Sequence, residues 1–273
     1  TEPEAGLNGR VLRYPRGKVL GGSSSINGMI YMRGQSRDYD GWADELGDDA
    51  WRWAACLPCF KQHEAHWRGA DEHHGSDGEW RVERQRLSWE LLDAFAMAAQ
   101  QAGIPPSDDF NCGDNEGVGY FEVNQKRGVR WNASKAFLRP AQSRRNLTVR
   151  TGAAVQRVLV SRRSDGKLVA TGVECNSADG GVQTLSAARS VVLAAGAIGS
   201  PQLLQLSGIG PAPLLAQHGV ALVHELPGVG ENLQDHLQIR AVFGVTGVKT
   251  LNTMAHSLWG KARIGLQYLF TQS

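Results

Sequence analysis

The sequence lacks several features that would place a protein in a specialised class. It has only four cysteines in 273 residues, too few for a disulfide-stabilised scaffold of this size. It has no run near the roughly 18 consecutive apolar residues of a membrane-spanning helix. The 29 Lys and Arg residues balance 27 Asp and Glu, and the net charge is only +2. So balanced a chain gives no general reason to expect nucleic acid or an anionic membrane as a partner.

The first residues also lack the features of a secretory leader. Thr1, Glu2, Pro3 and Glu4 supply neither a basic region nor the apolar stretch that follows it in a signal peptide. The missing initiator Met indicates a chain cut from something longer. Together with the low cysteine content, this predicts a reducing, cytoplasmic setting, with the protein either free or held peripherally at a membrane.

Glycine, by contrast, is abundant: it accounts for 33 of the 273 residues, or about 12%, where an average chain has about 7%. The first cluster lies between Pro15 and Tyr31, in Gly-Gly-Ser-Ser-Ser-Ile-Asn-Gly-Met-Ile from Gly21 onward. Successive N–H groups in such a loop form a nest for an anion, and glycines allow a ligand to approach the backbone closely. No Gly-Lys-Ser/Thr closes the motif, which excludes a Walker A loop. A flexible linker is the alternative, but it would not lead into an apolar stretch.

Hydrophobic periodicity predicts a helix over residues 89–102, because apolar residues from Leu91 to Ala102 recur at helical spacing. Ser88 is its expected N-cap, and Gly103 and Pro105 are expected to end it. Short strands are predicted further on, at Leu147–Arg150, Ala154–Val160, Leu168–Cys175 and Val182–Leu185. Turn residues at 164–166 and 178–181 separate the later ones, which predicts a small antiparallel meander.

A different pattern follows the meander. Ser190–Ala194 is a continuous apolar run, as expected for a parallel strand buried on both faces. It leads into the second glycine cluster, Gly196 to Gly210, where Ser200 is the expected N-cap and Pro201 the first residue of a helix. Strand, glycine turn and helix place a helix N-terminus beside a phosphate. An ordinary strand–helix turn, however, has the same pattern.

Taken together, the two clusters are more specific. Residues 17–40 and 196–210 resemble, in order and separation, the two signatures of the glucose–methanol–choline (GMC) family of FAD-dependent oxidoreductases. Further similarity lies at 57–61, 74–78, 132–138 and 228–236, so the resemblance covers nearly the whole chain. It is greatest to the bacterial choline and aliphatic-alcohol dehydrogenase branch.

The resemblance implies a set of cofactor-binding residues, namely Gly21, Gly22, Ser23, Asn27, Gly28, Met29, Ile30, Val155, Ala195 and Gly196. Gly22 and Ser23 would lie along the FAD pyrophosphate, and residues 27–30 would line the isoalloxazine. Val155 would meet the adenine end through its backbone. Some family members attach FAD covalently to a histidine, but Ile26 stands at that position and has no nucleophile. Non-covalent FAD is therefore predicted.

The implied fold is α/β, with an incomplete Rossmann-like FAD-binding domain interleaved with an α+β substrate-binding domain. Residues 1–35 and 146–235 are assigned to the FAD-binding part. Residues 36–145 and 236–273 are assigned to the substrate-binding part.

Two parts of the family pattern have no counterpart among these residues. One is the glycine-rich βαβ unit, which would precede Pro15. The other is the catalytic histidine with its paired histidine or asparagine, which the resemblance places beyond Ser273. No catalytic residue is therefore assigned, and the chain by itself is expected to be inactive.

The implied function is oxidation of a primary alcohol, choline-like or aliphatic, to an aldehyde by hydride transfer to flavin N5. A quinone-like electron acceptor is expected rather than oxygen, and no nucleic acid or membrane span. The alternative is a non-catalytic binding module that keeps the flavoprotein scaffold.

Two further motifs suggest other chemistry. Cys56, Cys59, His63 and His66 have a spacing similar to that of a zinc site, but the resemblance gives this segment no metal role, and no metal site is predicted. His73 and His74 precede a Gly-Ser-Asp-Gly turn and are interpreted as part of a solvated loop. For His236, which follows Asp235, a structural role is favoured over an orienting Asp–His pair.

Overall fold

A computed structural model describes residues 1–177, 180–236 and 238–271. The α-helices are Ser36–Leu46 (α1), Trp53–His63 (α2), Glu90–Gln101 (α3), Arg139–Ala141 (α4), Gly196–Leu206 (α5), Ala212–Gln217 (α6), Leu251–Ala255 (α7) and Leu258–Thr271 (α8). The β-strands are Ile30–Tyr31 (β1), Glu64–His66 (β2), Trp80–Arg84 (β3), Glu122–Val123 (β4), Gln125–Lys126 (β5), Val129–Arg130 (β6), Val155–Arg162 (β7), Leu168–Asn176 (β8), Val182–Ser186 (β9), Ile209–Gly210 (β10) and His224–Glu225 (β11). The chain divides into two compact units, one formed by Thr1–Leu147 with the described residues from Gly244 onward, the other by Thr148–Phe243.

The first unit is organised around a short mixed sheet with strand order β1-β4-β3-β2. β2 pairs with β3 in parallel, whereas β4 is antiparallel to both β3 and β1. A hairpin formed by β5 and β6 follows β4 directly. The chain then continues into a π-helical turn, Ser134–Leu138, that precedes α4. The glycine-rich loop at Gly21 enters this sheet through β1.

Local sequence explains the start and end of α1. The backbone N–H of Gln35 donates to the Asp38 carboxylate at 2.7 Å, and the reciprocal bond completes a capping box. At the other end, Gly47 adopts φ +65°, the left-handed conformation that commonly ends a helix. α1 therefore begins where the glycine-rich segment ends.

The second unit contains the predicted antiparallel meander, with strand order β7-β8-β9. Residues 155–162, 168–176 and 182–186 form these strands, which confirms three of the four predicted strands. Helix α5 is joined to β7 by a hydrogen bond from the Val158 N–H to Ser207 Oγ at 2.8 Å. β10 and β11 form a short parallel pair beyond α5. Part of the predicted turn at 178–181, namely residues 178 and 179, lies outside the described residues.

Two predicted strands are wrong. Residues 147–150 form no strand, and Ser190–Ala194 forms none and pairs with no strand in the described part of the chain. Val192 is 83% exposed, so the segment is not buried on both faces. A buried parallel strand needs neighbouring strands on its edges, and no strand among the residues described pairs with this segment.

Both predicted helices exist, but their caps were misplaced. Helix α3 begins after Trp89 rather than Ser88. Helix α5 begins at Gly196, earlier than predicted, so that Pro201 lies inside it. Ser200 instead accepts a hydrogen bond from the Ala195 N–H at 3.0 Å, which bridges backward across the first turn. Gly103, with φ +92°, follows α3 as expected, and Gly219, with φ +67°, follows α6.

Among the residues described, no helix combines the length and the apolar character needed to span a membrane. The two units mix helices and sheets, as the predicted α/β class requires. The assignment of the four sequence segments to a FAD-binding and a substrate-binding part stays a prediction. So does the expectation that the family's catalytic pair follows Ser273, a residue that lies outside the described ranges.

Candidate functional site

The glycine-rich loop turns at Gly21, which has φ +94°, into a 3₁₀ turn over Gly22–Ser25. The hydroxyls of all three serines form hydrogen bonds within the loop. Ser24 Oγ donates to the Gly21 carbonyl and Ser25 Oγ to the Leu20 carbonyl. Ser23 is exposed, and its hydroxyl accepts from the Gly17 N–H at 3.3 Å. Ser23, which the resemblance places along the pyrophosphate, is therefore the exposed one of the three serines.

The loop is closed by an approach of backbone to backbone at Gly17. A Cβ atom added there would overlap the carbonyl group of Gly22 and stand 2.7 Å from the Ser23 nitrogen. By contrast, no atom lies within 4 Å of the place where a Cβ would stand at Gly22 or Gly28. Gly17 is thus used for packing inside the loop, whereas Gly22 and Gly28 leave open space in front of it.

A second segment, residues 132–133, is hydrogen-bonded to the loop. Asn132 Nδ2 donates to Ser25 Oγ at 2.8 Å, and the Ala133 N–H donates to Ser24 Oγ at 3.0 Å. Asn132 is itself oriented, because its Oδ1 accepts from the Lys135 N–H at 2.9 Å. The sequence had assigned residues 132–138 no role. Their pairing with serines about a hundred residues away was not visible in any local pattern.

The Asn27 side chain is held by two donors. Its Oδ1 accepts from the Met29 N–H at 3.1 Å and from Arg130 Nη1 at 2.8 Å. The same guanidinium donates to the Ser24 carbonyl at 3.1 Å. The Asn27 Oδ1 is thereby committed, and Nδ2, which has no partner among the described residues, remains as the donor for a ligand. Arg130, which orients the Asn27 amide, was not singled out by the sequence analysis.

The end of the loop is strained and then joins the sheet. Met29 has φ +65°, a conformation that side chains other than Gly rarely adopt and that is often found at functional sites. Its carbonyl accepts from the Asn124 N–H at 2.8 Å. Ile30 pairs with Val123 in the sheet, yet its side chain is 48% exposed, as is Ile26 at 49%.

The other predicted cofactor residues lie in the second unit. Val155 is the first residue of β7 and pairs with Cys175. Ala195 is the N-cap of α5, and Gly196, with φ +84°, is its first residue. Both are exposed, and nothing lies within 4 Å of a Cβ position at Gly196. The N–H groups at the start of this eleven-residue helix have no acceptor within the helix and suit an anionic group.

A buried network of charged residues includes Arg33, which follows β1 and the glycine-rich loop in the sequence. Glu64 Oε2 is 2.9 Å from Arg33 Nη2 and 3.0 Å from His74 Nδ1, and all three side chains are at most 2% exposed. His74 Nε2 is 2.7 Å from Asp109 Oδ2. Arg33 also contacts Asn111, whose Oδ1 accepts from the Arg33 N–H at 2.8 Å. The network therefore anchors the chain where it leaves the loop.

A second pair extends the network. His66 Nε2 is 2.9 Å from Glu122 Oε1, which also accepts from Trp67 Nε1 at 2.8 Å. Arg68 reaches the same carboxylate oxygen at 3.2 Å. The His66 and His74 rings are stacked with their centroids 3.8 Å apart. The sequence analysis placed His74 in a solvated loop, which is wrong, because His74 has no exposed surface and is held by carboxylates from β2 and the segment before β4.

The network shifts the acid–base properties of its members. Burial by itself would lower the pKa of His74, but the hydrogen bonds to Asp109 and Glu64 outweigh it and raise that pKa to about 9. Burial would raise the pKa of Asp109, yet the bonds from His74 and the Asn111 backbone lower it to about 2. The pKa of Glu64 is likewise lowered by His74, Gly75 and Arg33 against the effect of burial.

These shifts predict a pH window for the stability of the network. Because the pKa of His74 is raised from 6.5 to about 9, its contribution is complete below pH 6.5 and is lost as the pH rises through about 9. The lowered pKa of Asp109, from 3.8 to about 2, gives a contribution that is complete above pH 3.8 and is lost as the pH falls through about 2.

We therefore expect the free energy of unfolding, measured with urea, to decline between pH 6.5 and 9 in the wild-type protein. His74→Gln should flatten this decline, whereas His63→Gln, at an exposed position of the same unit, should retain it. A decline of equal steepness in His74→Gln would contradict the assignment of the alkaline limb to His74.

The zinc-like residues are engaged in other contacts. Cys56 Sγ contacts the Trp51 carbonyl at 3.4 Å, and Cys59 Sγ contacts the Ala55 carbonyl at 3.9 Å. His63 packs edge-on against Phe137, and His66 is bonded to Glu122. Within the described ranges, no group of three or more His, Cys, Asp or Glu residues could hold a metal ion. For His236, the described contact is a hydrogen bond from its backbone N–H to the side-chain oxygen Oδ1 of Asp235 at 2.8 Å.

Comparison with known proteins is consistent with this geometry. The GMC oxidoreductase family model matches residues 5–238. The oxygen-dependent choline dehydrogenase of Photobacterium profundum is 45% identical over 272 residues, which is 98% of this chain but 46% of that protein. The chain thus spans about half the length of the curated relatives it matches.

Solved structures show the same fold. Pyridoxine 4-oxidase from Mesorbium loti matches with a TM-score of 0.80 at 36% identity, and the match covers 86% of this chain and 45% of that protein. An FAD-dependent oxidoreductase from Chaetomium thermophilum matches with a TM-score of 0.86 at 28% identity, and the match covers 100% of this chain and 49% of that protein. These similarities confirm the predicted α/β fold class. Since the family model matches most of the chain, this protein belongs to the GMC oxidoreductase family.

Proposed function

We propose that the chain contributes part of an FAD site. Its own residues fit such a group: Gly22 and Gly28 leave open space beside an exposed Ser23, and the start of α5 offers N–H groups to an anion. Gly21, Gly22 and Ser23 would hold the pyrophosphate, and Asn27, Gly28, Met29 and Ile30 the isoalloxazine. In the second unit, Val155, Ala195 and Gly196 would hold the adenine and nucleotide half.

The proposed activity is oxidation of a CH–OH donor, a primary alcohol of the choline-like or aliphatic type, to an aldehyde by the complete protein. FAD would supply the hydride acceptor. Family membership supports this reaction, as does the name of the Photobacterium relative, a choline dehydrogenase. The residues described here bind and orient: Arg130 and the Met29 N–H fix the Asn27 amide, and the network at Glu64 anchors the loop that carries it.

The electron acceptor and the location of the protein are part of the same proposal. A quinone-like acceptor remains our prediction, and oxygen is the competitor, because the Photobacterium relative is named oxygen-dependent. A cytoplasmic location, with or without peripheral attachment to a membrane, also remains a prediction. Reoxidation of the reduced flavoprotein by air and by a soluble quinone, followed at the flavin band, separates the two acceptors.

The alternative is a non-catalytic module on the same scaffold. The observation that favours an FAD site is an exposed Asn27 whose amide is oriented by Arg130 and the Met29 N–H, next to Met29 with φ +65°. A packing scaffold requires neither. A module without a cofactor is expected to retain no flavin.

The direct test is to mix the purified chain with excess FAD, desalt it and record the absorption spectrum. Retained flavin that is released by acid would support a non-covalent site, consistent with Ile26 at the attachment position. A folded chain that retains no flavin would contradict the proposal for this chain. Flavin that stays bound after acid denaturation would contradict non-covalent binding.

Gly28→Ala tests one predicted contact. The added Cβ meets no protein atom within 4 Å and Gly28 is not in a left-handed conformation, so the fold should be unchanged. If the isoalloxazine lies against Gly28, the methyl group should weaken FAD binding about tenfold, which corresponds to about 1.4 kcal/mol. Gly41→Ala is the matched control, because it adds a methyl group in open space within α1. Equal FAD affinity in both variants would remove Gly28 from the site.

A further inference from the structure

The total charge of the chain conceals a strongly uneven distribution. Between Val123 and Ser164 the sequence has eleven Lys and Arg residues and no Asp or Glu. The first part of this stretch folds into the β5–β6 hairpin and the π-helical turn before α4. Five of the eleven cations lie in or next to these elements, namely Lys126, Arg127, Arg130, Lys135 and Arg139.

These two elements form a cleft of about 460 Å³, whose lining is Lys126, Arg127, Val129, Trp131, Lys135 and Arg139. Four of the six lining residues are cations and none is acidic. In the described part of the chain, none of these four cations forms an ion pair with a carboxylate. Four like charges around one cleft repel each other and attract a multivalent anion.

Two of the cations are held in place by uncharged partners. Lys126 Nζ lies 5.0 Å from the centroid of the Trp131 ring, a cation–π distance. Lys135 Nζ donates to the Arg130 carbonyl at 2.7 Å and keeps further N–H donors for a ligand. Neither contact neutralises the charge. Two of the four cations of the cleft, Lys126 and Lys135, are therefore held in position.

Arg127 occupies a position where its residue type is unfavourable. It and Gly128 have φ +53° and +75°, the two positive values of a type I′ hairpin turn, which favours Asn or Asp followed by Gly. Its N–H donates to Glu83 Oε2 at 2.9 Å, and that carboxylate is already paired with Arg81 at 3.3 Å. A strained arginine beside three other cations indicates a role for its guanidinium.

We propose that this cleft is an anion site for a diphosphate or a phosphate ester, separate from the glycine-rich loop. The arginine forks of Arg127 and Arg139 suit phosphate oxygens. Arg130 marks the boundary between the two sites, because its guanidinium binds Ser24 and Asn27 of the loop while its carbonyl holds Lys135 of the cleft. The phosphate belongs either to a soluble ester or to the headgroup of a phospholipid.

The test uses inorganic pyrophosphate and isothermal titration calorimetry on the full chain. Arg127→Gln combined with Arg139→Gln should weaken binding at least about tenfold, because two charge-assisted contacts are lost. The matched control is Arg144→Gln combined with Arg145→Gln, which removes two exposed arginines of the same unit that do not line the cleft. It should change the affinity less than about twofold, as expected for remote charges screened by salt. Circular dichroism spectra should be the same for all three proteins.

No binding of pyrophosphate at millimolar concentration by the folded chain would overturn the proposal, as would equal weakening in the control variant. Loss of FAD retention in the Arg127→Gln/Arg139→Gln variant would also overturn it, since the cleft would then belong to the flavin site. The outcome does not depend on the proposed flavin function, because a chain that fails to bind FAD is still expected to bind pyrophosphate.

A second arm distinguishes the sources of the phosphate. Sedimentation with vesicles of phosphatidylcholine and phosphatidic acid, lost in the cleft variant and absent with phosphatidylcholine alone, would assign the cleft to a lipid headgroup. Binding of pyrophosphate without sedimentation would assign it to a soluble phosphate ester.

Discussion

Replacing Glu64 by glutamine is expected to lower the free energy of unfolding by about 3–5 kcal/mol, the usual cost of leaving a buried charge without its partner. Glu64 is fully buried, and its carboxylate faces both Arg33 and His74 within 3.0 Å. Glutamine preserves the shape of the side chain but removes the negative charge that compensates for burying those two cations. Urea denaturation at pH 6, where the contributions of His74 and Asp109 are both complete, measures the loss.

Asp44→Asn is the matched control in the same unit. Asp44 pairs with Arg52 at 2.8 Å, but its side chain is 68% exposed, so the change should cost at most about 1 kcal/mol. The double variant Glu64→Gln/His74→Gln should be less destabilised than the sum of its single changes, because both single changes remove the same Glu64–His74 ion pair. A cost for Glu64→Gln no larger than that of the control would show that the network contributes little to stability.

Gly17→Ala is expected to disrupt the glycine-rich loop and to prevent retention of FAD. The Cβ of alanine would overlap the backbone of Gly22 and Ser23, and backbone cannot move aside as the end of a side chain can. Forcing this contact open should cost about 1–3 kcal/mol of stability. The same movement would displace the segment that is proposed to hold the pyrophosphate. Absorbance of the desalted protein and urea denaturation measure the two effects.

The comparison between Gly17→Ala and Gly28→Ala separates packing from ligand contact. Both add one methyl group to the same loop, but only the first meets protein atoms. Gly17→Ala should therefore lose stability and flavin together, and Gly28→Ala flavin alone. If Gly17→Ala retained both, the close backbone approach at this position would be wrong.

The parts of the fold that the sequence predicted correctly are those that depend on neighbouring residues. The strands β7, β8 and β9 alternate with turn-forming residues and pair in the order of the chain, so local pattern was sufficient. The same holds for α3 and α5, each of which is followed closely by a glycine with positive φ. The caps of α3 and α5 were misplaced because hydroxyl groups at Ser88 and Ser200 fit a cap by type, whereas the backbone decides where the helix begins.

The two glycine clusters predicted the family because both are long and occur in a fixed order, and the family model confirms that prediction. Sequence alone could not show how the loop is braced. The bonds of Ser24, Ser25 and Asn27 to residues 130–133 join segments about a hundred residues apart. The cofactor contacts assigned to these residues remain predictions.

Two of the errors, at His74 and at Ser190–Ala194, share one physical cause, which is that burial depends on distant partners. His74 was placed in solvent because of the Gly-Ser-Asp-Gly that follows it, but Glu64 and Asp109 hold it in the interior. Ser190–Ala194 was placed in the interior because it is apolar, but no strand among the described residues pairs with it. Hydrophobic pattern predicts which segments prefer burial and not whether a neighbour is present to bury them.

The stacked imidazoles of His66 and His74 have a spectroscopic consequence. Both ring nitrogens of His74 face carboxylate oxygens, so both must carry hydrogen and the ring is an imidazolium. His66 Nε2 lies 2.9 Å from Glu122 Oε1, while its Nδ1 faces the Arg68 N–H at 3.4 Å. Nitrogen-15 spectra should therefore distinguish two parallel rings in van der Waals contact, because Nδ1 of His74 faces a carboxylate whereas Nδ1 of His66 faces an amide N–H. Such an asymmetric pair would report on the integrity of the interior in any variant of this protein.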